Sequence, residues 1–236
     1  MKCRNYAHRG ASGDHPENTM LAFRAALEMG CEGIELDVQL SKDGVVVVFH
    51  DSTVDRLTGC TGRVDSFDLQ QLQKMRLLGT EQTIPLFCEV LGEVDGKVPL
   101  IVELKTGPNN RELCEKTWAL LQQYEGPYCV ESFDPRIVQW FKKNVPGVLR
   151  GQLACSCKDY KNTKLGFFAS RLLANFLGRP QFIAWGSDQK NLMVKLCESF
   201  GPMTVRWNTR EEEKLRQLQQ EYDAVIFEGY KPSPRY

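Results

Sequence analysis

Short apolar runs rich in β-branched residues alternate with helical patterns along the chain, which is typical of consecutive βα units. The spacing predicts eight strands, the number that a closed parallel barrel requires. We therefore expect an α/β fold, a TIM-type (β/α)8 barrel formed by residues 1–236 as a single domain. The predicted strands lie near residues 5–8, 33–38, 99–105, 128–132, 148–153, 182–186, 203–206 and 224–227.

One further apolar run, residues 45–49, follows the second strand with no room for a helix between them. Asp43-Gly44 separates the two runs, and Asp-Gly is a strong signal for a β-hairpin. A two-residue loop at this point sets Asp37 directly opposite His50. Because strand side chains alternate, Glu35 shares a face with Asp37. The sequence thus predicts a β-hairpin after strand 2 that brings a histidine beside two carboxylates.

Residues 51–98 interrupt the alternation of strands and helices, and we interpret them as a small insertion. One or two helices are expected within it, near 69–78 and 85–94. A second unusual segment, Phe167–Leu177, is apolar enough to be largely buried or to face a partner.

Two helix starts have recognisable capping signals. Asn18 or Thr19 is expected to cap a helix that ends at Gly30. Thr209, with Glu212 three residues later, matches the pattern of a capping box.

Composition and charge exclude some classes of partner. The 236 residues contain 30 Lys and Arg and 30 Asp and Glu, so the net charge is zero and no nucleic-acid partner is expected. No apolar run is long enough for a transmembrane segment, and the start of the chain leaves no room for a signal peptide. We therefore expect a cytoplasmic protein whose nine cysteines are reduced packing residues. The oligomeric state stays open.

Three acidic residues lie on neighbouring predicted strands: Glu35, Asp37 and Glu103. Carboxylates that share a pocket repel one another, and a bound divalent cation is the usual remedy. All-oxygen ligation favours Ca²⁺ or Mg²⁺ over zinc. The alternative is that each acid pairs with a nearby lysine or arginine.

His8 and His50 are candidate acid and base residues. Both fall at the ends of predicted strands beside cations and carboxylates, and two histidines in one pocket can exchange protons near neutral pH. The third histidine, His15, lies in a predicted loop and is expected to have no catalytic role. Arg9 and Lys105 are the candidate phosphate contacts, since both can stabilise a phosphoryl oxyanion.

Together these residues resemble the glycerophosphodiester phosphodiesterase family. The resemblance rests on the order and spacing of six motifs over residues 6–106 and continues more weakly to the end of the chain. The motifs are Ala7-His8-Arg9-Gly10, Pro16-Glu17-Asn18-Thr19, Gly33-Ile34-Glu35-Leu36-Asp37-Val38, Lys42-Asp43-Gly44, Phe49-His50-Asp51 and Glu103-Leu104-Lys105.

The resemblance implies a TIM-type barrel that hydrolyses glycerophosphodiesters, small-molecule substrates, to glycerol 3-phosphate and an alcohol. It implies that attack comes from water directly, or first from a glycerol hydroxyl through a cyclic phosphate. The residues that match the family motifs are Glu35, Asp37 and Glu103 for the metal, His8 and His50 for acid–base catalysis, and Arg9 and Lys105 for the phosphate.

Two places depart from the family pattern. Val205-Arg206 stands where the family often has Trp-Thr, and Phe227-Glu228-Gly229-Tyr230 stands where it has Thr-Asp-x-Pro. Arg206, Trp185 and Phe133 are candidate substrate contacts. Two other functions remain open at this point: a phospholipase D-like hydrolase of lysophospholipids, and a non-catalytic barrel that binds phosphorylated ligands.

Overall fold

The structure, a computed structural model, describes residues 4–160 and 163–230. Cys3 and both ends of the expected 1–236 domain lie outside the described residues. The described part contains nine strands. They are β1 (Arg4–His8), β2 (Ile34–Leu40), β3 (Val46–Val48), β4 (Leu100–Leu104), β5 (Tyr128–Ser132), β6 (Arg150–Ala154), β7 (Phe182–Trp185), β8 (Met203–Thr209) and β9 (Ala224–Phe227).

Eight of these strands form a closed parallel barrel, which confirms the predicted fold. The strand order is β1-β9-β8-β7-β6-β5-β4-β2, and β1 also pairs with β2 to close the ring. All the pairings within the ring are parallel. The carboxyl ends of all eight strands therefore meet at one face, where barrels of this class carry their active sites.

The ninth strand, β3, pairs antiparallel with β2 and forms the predicted hairpin, but its register differs from the prediction. Val38 lies opposite Val48, and the backbone N–H of Phe49 donates to the carbonyl of Asp37 at 3.0 Å. Asp37 therefore faces Phe49, and the predicted pairing of Asp37 with His50 is wrong by one residue.

The turn explains the shift. Ser41 and Val45 are joined by a hydrogen bond of 2.9 Å from the Ser41 N–H to the Val45 carbonyl, and the Gly44 N–H donates to the Ser41 carbonyl. The loop thus has three residues, with Gly44 at φ 75°. A two-residue type I′ turn needs positive φ at both central residues, whereas a three-residue hairpin needs a left-handed residue only at its end.

Ten α-helices lie within the described residues. They are α1 (Met20–Glu28), α2 (Asp55–Thr58), α3 (Leu69–Leu72), α4 (Phe87–Val94), α5 (Asn110–Leu121), α6 (Pro135–Asn144), α7 (Thr163–Ala169), α8 (Asn175–Gly178), α9 (Leu192–Glu198) and α10 (Glu212–Glu221).

Of the two capping predictions, one is confirmed and one is wrong. The Thr19 hydroxyl accepts a hydrogen bond from the N–H of Ala22 and caps α1. Helix α10 instead begins after Glu211, because Thr209 is the last residue of β8. The strand extends further than its apolar run indicates, so its polar end was mistaken for a helix cap.

The segment after the hairpin builds a small hydrophobic cluster of its own against the outer side of β3. Phe49 belongs to this cluster, together with residues of α2 and α3 and with Ile84. Helix α4, in contrast, packs into the main core beside α1. Within the segment 51–98, α4 therefore occupies the position of a barrel helix, and only the residues before it leave the barrel.

The run Phe167–Leu177 is not largely buried, contrary to one expectation. Phe168 and Phe176 are 58% and 72% exposed, whereas Leu172 is buried. No helix in the described residues combines the length and apolar character that a bilayer crossing needs. The eight cysteines of this part of the chain form no disulfide with one another.

Candidate active site

Three buried carboxylates converge at the carboxyl ends of two adjacent barrel strands. Glu35 and Asp37 project from β2, and Glu103 projects from β4, where it pairs directly with Asp37. Each is at most 7% exposed. One oxygen from each side chain lies within 4.8 Å of the others. The three side chains that the sequence selected as metal ligands are therefore brought together.

Burial and mutual repulsion act on the protonation of this group. Burial raises the pKa of Glu35 well above its usual range, and the charge of Asp37 raises it further. Burial also raises the pKa of Glu103, although Lys105 opposes that shift. For Asp37 the cations prevail over burial, chiefly Lys105, and its pKa lies well below the ordinary value. The anionic forms of Glu35 and Glu103 are therefore disfavoured in this arrangement, and a bound cation would favour them.

Lys105 and Arg9 supply the positive charge around the carboxylates. The Lys105 ammonium lies 2.8 Å from Glu103 and 3.3 Å from Asp37. The Arg9 guanidinium lies 3.3 Å from Asp37 and 2.7 Å from Glu17. Arg9 has φ 56°, a left-handed conformation that costs energy for a residue with a side chain and directs its guanidinium into the site. Both predicted phosphate contacts therefore border the acidic group.

The donor set fits a hard divalent cation. It consists of carboxylate oxygens only, which Ca²⁺ and Mg²⁺ prefer. Asp37 Oδ1 is buried and accepts no hydrogen bond, and the Lys105 ammonium lies 3.3 Å from it. A divalent ion would add to the stabilisation that Lys105 gives this carboxylate.

His8 is held at its Nδ1 side by a carboxylate from the other end of the chain. Glu228, which follows β9, lies 2.9 Å from His8 Nδ1. The opposite ring nitrogen, Nε2, lies 3.9 Å from Glu35. Burial lowers the pKa of His8, and the hydrogen bond to Glu228 only partly offsets this effect. Burial therefore disfavours the charged form of His8, whose Nε2 faces Glu35 of the acidic group.

His50 has a similar arrangement on the other side of the pocket. Its Nδ1 lies 2.7 Å from Asp51, and Arg56 donates a hydrogen bond of 2.6 Å to the same carboxylate. The charge of His50 acts to lower the pKa of both Asp37 and Glu103, so His50 influences the acidic group despite the shifted hairpin register. His15 lies in the loop after β1, where its backbone N–H donates to Ala11.

The residues around His8 and Arg9 explain the loop geometry of this motif. Gly10 has φ 75°, and a Cβ at this position would lie 2.7 Å from the backbone of Ala22. Only glycine lets the chain pass so close to α1. Asn18 then reaches back and donates a hydrogen bond of 2.8 Å to Asp37, which orients that carboxylate.

Residues 8–229 match the sequence profile of the glycerophosphoryl diester phosphodiesterase family. The chain belongs to this family.

Curated relatives match part of this glycerophosphoryl diester phosphodiesterase family member. YhdW of Bacillus subtilis is 41% identical over 150 residues, covering 60% of this chain and 62% of that protein. The glycerophosphodiester phosphodiesterase of Caldanaerobacter subterraneus is 44% identical over 116 residues, covering 45% of this chain and 47% of that protein. The chain thus spans about half to two thirds of the length of these relatives.

Solved structures support the fold over nearly the whole chain. A phosphodiesterase of Oleispira antarctica, solved in complex with the product sn-glycerol-3-phosphate, superposes with a TM-score of 0.82 at 23% identity. The superposition covers 96% of this chain and 93% of that one. A glycerophosphodiester phosphodiesterase of Thermotoga maritima superposes with a TM-score of 0.74 at 24% identity and covers 97% and 96% of the two chains.

Sequence reasoning did not assign a role to Glu228, although it sits where the family pattern has an aspartate. Its carboxylate accepts hydrogen bonds from Asn208 and Arg210 besides contacting His8. The hydrogen bond with His8 is the main reason why the pKa of Glu228 falls to about 2. The sequence signal that could have identified Glu228 is its position as an acidic residue directly after the last barrel strand.

Glu131 is a second residue that sequence reasoning missed. It lies on β5 beside Glu103 and is 2% exposed, and one of its oxygens has no hydrogen bond. Burial raises its pKa well above the usual range, and Glu103 and Asp37 raise it further. Glu131 is two residues from Cys129 on β5, so the two side chains share one face of the strand. That spacing was the only sequence signal that Glu131 points inward.

The three candidate substrate contacts differ in what they touch. The Arg206 guanidinium is buried, donates to the carbonyls of Trp185 and Trp207, and pairs with Asp188 at 2.9 Å. Trp185 is 1% exposed. These two side chains are therefore part of the packed structure. Phe133 packs edge-to-face on Trp207, with the ring centroids 5.6 Å apart, and borders a cavity.

Proposed function

We propose that the protein hydrolyses glycerophosphodiesters to glycerol 3-phosphate and an alcohol, as a phosphoric diester hydrolase. The observation that carries the proposal is the convergence of Glu35, Asp37 and Glu103 between His8 and His50 at the carboxyl ends of the barrel strands. This arrangement contains every group that cleavage of a phosphodiester requires. The product bound in the Oleispira antarctica phosphodiesterase supports glycerol 3-phosphate as the product.

Glu35, Asp37 and Glu103 are the residues that would hold one divalent cation, Ca²⁺ or Mg²⁺. Such an ion supplies Lewis-acid stabilisation of the negative charge on the phosphoryl oxygens. The convergence of three carboxylates and the repulsion between Glu35 and Asp37 support this assignment.

His8 and His50 would act as the general acid and base. Each imidazole is fixed at Nδ1 by a carboxylate, Glu228 or Asp51, so that Nε2 is the nitrogen left to exchange a proton with substrate. A carboxylate at Nδ1 fixes the tautomer and makes Nε2 a better base. One histidine would accept the proton of the attacking hydroxyl while the other protonates the leaving alkoxide. Attack by water and attack by a glycerol hydroxyl both require this pair.

Arg9 and Lys105 would bind the phosphate. Both already lie against the carboxylates of the site, so their side chains are held in place before the substrate arrives. A planar guanidinium can bind two phosphoryl oxygens at once, whereas lysine acts as a point charge. Preorganised cations of this kind stabilise charge that develops in the transition state.

A non-catalytic barrel that binds phosphorylated ligands is the rival function. It has no need for two imidazoles oriented by buried or half-buried carboxylates, and their presence favours the enzyme. The deciding experiment measures glycerol 3-phosphate release from glycerophosphocholine by the purified protein with Ca²⁺ or Mg²⁺. Steady turnover supports the proposal, and binding of the diester without turnover under either ion would favour the rival. The cytoplasmic location stays a prediction.

A further inference from the structure

A largely apolar cavity of about 630 Å³ lies between α6 and the α7–α8 region. Its volume falls within the range typical of small-molecule sites. Seven of its lining side chains are aromatic or leucine. They are Phe133, Tyr160, Phe168, Leu172, Leu173, Phe176 and Leu177.

The cavity adjoins the candidate active site at the carboxyl end of the barrel. Thr106, which lines it, directly follows Lys105. Gln152, another lining residue, lies in the middle of β6 opposite Ser132, the last residue of β5. Phe133 forms the boundary, because its ring lines the cavity and also packs on Trp207 in the cluster that fills the barrel. A molecule held in the site thus has an apolar space directly beside it.

The polar groups around the cavity do not suit a second charged ligand. Asp134 and Arg136 are the only charged side chains among the described lining residues, and they pair with each other at 2.6 Å. Phe168 and Phe176 are 58% and 72% exposed at the cavity, a costly arrangement unless an apolar group covers them. The lining therefore matches a hydrocarbon chain and not a nucleotide or sugar.

We propose that this cavity binds the hydrocarbon chain of the substrate, so that the enzyme acts on single-chain, lysophospholipid-type phosphodiesters as well as on deacylated ones. The proposal rests on the proposed function, because the phosphodiester of the same molecule occupies the site of Glu35, Asp37 and Glu103. The hydrocarbon chain in the cavity is part of the substrate and is covalently joined to the phosphodiester that is cleaved.

Burial of the substrate's hydrocarbon chain in the cavity should by itself increase catalytic efficiency. Each methylene that is fully buried favours binding by up to about fourfold. The comparison uses glycerophosphocholine and its hexanoyl and octanoyl lyso derivatives, at concentrations where both remain monomeric. We expect kcat/KM to rise with chain length, reaching at least about tenfold over glycerophosphocholine for the octanoyl substrate. Equal kcat/KM for all three substrates would overturn the proposal.

Substitutions test whether the effect comes from this cavity. Ala169→Trp places a bulky ring in the lining, and Phe176→Ser removes an apolar wall. Both should lower kcat/KM for the octanoyl substrate about tenfold and leave that for glycerophosphocholine unchanged. The matched control is Phe200→Ser, since Phe200 is 82% exposed and does not line the cavity. An equal loss for both substrates in Ala169→Trp and Phe176→Ser would contradict the chain site.

Direct binding separates this proposal from the proposed function. Calorimetry measures the affinity of monomeric octylphosphocholine for the wild-type protein, Ala169→Trp and Phe200→Ser. Weaker binding to Ala169→Trp alone would support the cavity as the site of the hydrocarbon chain, even if no substrate is hydrolysed. In that case only the proposed function would fail. Equal affinity for all three proteins would overturn the chain site whatever the turnover of glycerophosphocholine.

Discussion

The carboxylate of Glu228 lies 2.9 Å from Nδ1 of His8, although 220 residues separate the two in sequence. The contact exists because β1 pairs with β9 where the barrel closes. Glu228 is itself held by Arg210 at 2.8 Å. On the other side of the pocket, Asp51 lies between His50 and Arg56. Each histidine therefore contacts a carboxylate through Nδ1, and an arginine donates a hydrogen bond to each of these carboxylates.

We predict that Glu228→Gln lowers kcat for glycerophosphocholine by about 100-fold, the lower end of what acid–base catalysis contributes. The amide retains the size of the side chain but lacks the negative charge that fixes the His8 tautomer. Because Glu228 is argued to act through His8, the loss should fall on kcat and leave KM nearly unchanged. Steady-state kinetics measures both quantities.

Glu228→Asp should recover part of the lost kcat, since it restores the carboxylate. Arg210→Gln serves as the control. Arg210 is largely exposed and contacts Glu228 but not His8, so this variant should lower kcat less than Glu228→Gln does. A kcat for Glu228→Gln equal to that of the wild type would show that His8 needs no such partner.

The two histidines should be separately essential. His8→Ala and His50→Ala are each expected to lower kcat by about 10² to 10⁴, because each removes one of the two proton-transfer groups. His15→Ala is the matched control and should retain wild-type kcat. Circular dichroism verifies that all three variants fold. Full turnover by either His8→Ala or His50→Ala would remove the two-histidine mechanism.

Much of this site could be predicted from the sequence, because its residues follow apolar strands whose carboxyl ends a barrel must gather. The register of the hairpin could not, since Asp43-Gly44 is compatible with both a two-residue and a three-residue loop. A one-residue shift turns a strand side chain to the opposite face. His50 can nevertheless reach the acidic group, because β3 ends at Val48 and strand alternation does not extend to His50. Glu228 was missed as a partner because nothing local links it to His8.

Asp134 should stabilise the protein in a pH-dependent way. It caps α6 by accepting a hydrogen bond from the Arg136 N–H, and Asp134→Ala should cost about 1 kcal/mol or more in the free energy of unfolding. Burial raises its pKa, but the hydrogen bonds from Arg136 outweigh burial and the pKa lies below the ordinary value. A lowered folded-state pKa means that the ionised carboxylate stabilises the fold at neutral pH.

That contribution is complete above the unfolded-state pKa of about 3.9 and is lost as the pH falls through the lower folded-state pKa. Asp134→Asn, which can still cap the helix, should therefore be less stable than the wild type at pH 6. The difference should shrink towards pH 3. Urea unfolding at both pH values measures it, and a constant difference would show that the charge of Asp134 has no part in stability.

The central claim is that Glu35, Asp37 and Glu103 together bind the divalent cation that the hydrolysis needs. The most direct measurement is glycerol 3-phosphate release from glycerophosphocholine by chelator-treated protein, titrated with Ca²⁺ or Mg²⁺ while calorimetry follows ion binding. We predict that turnover is lost on chelation and returns with one bound ion, and that Asp37→Asn neither binds the ion nor recovers, whereas Asp188→Asn behaves as wild type. Undiminished turnover after chelation, with no ion binding by the wild-type protein, would contradict the account.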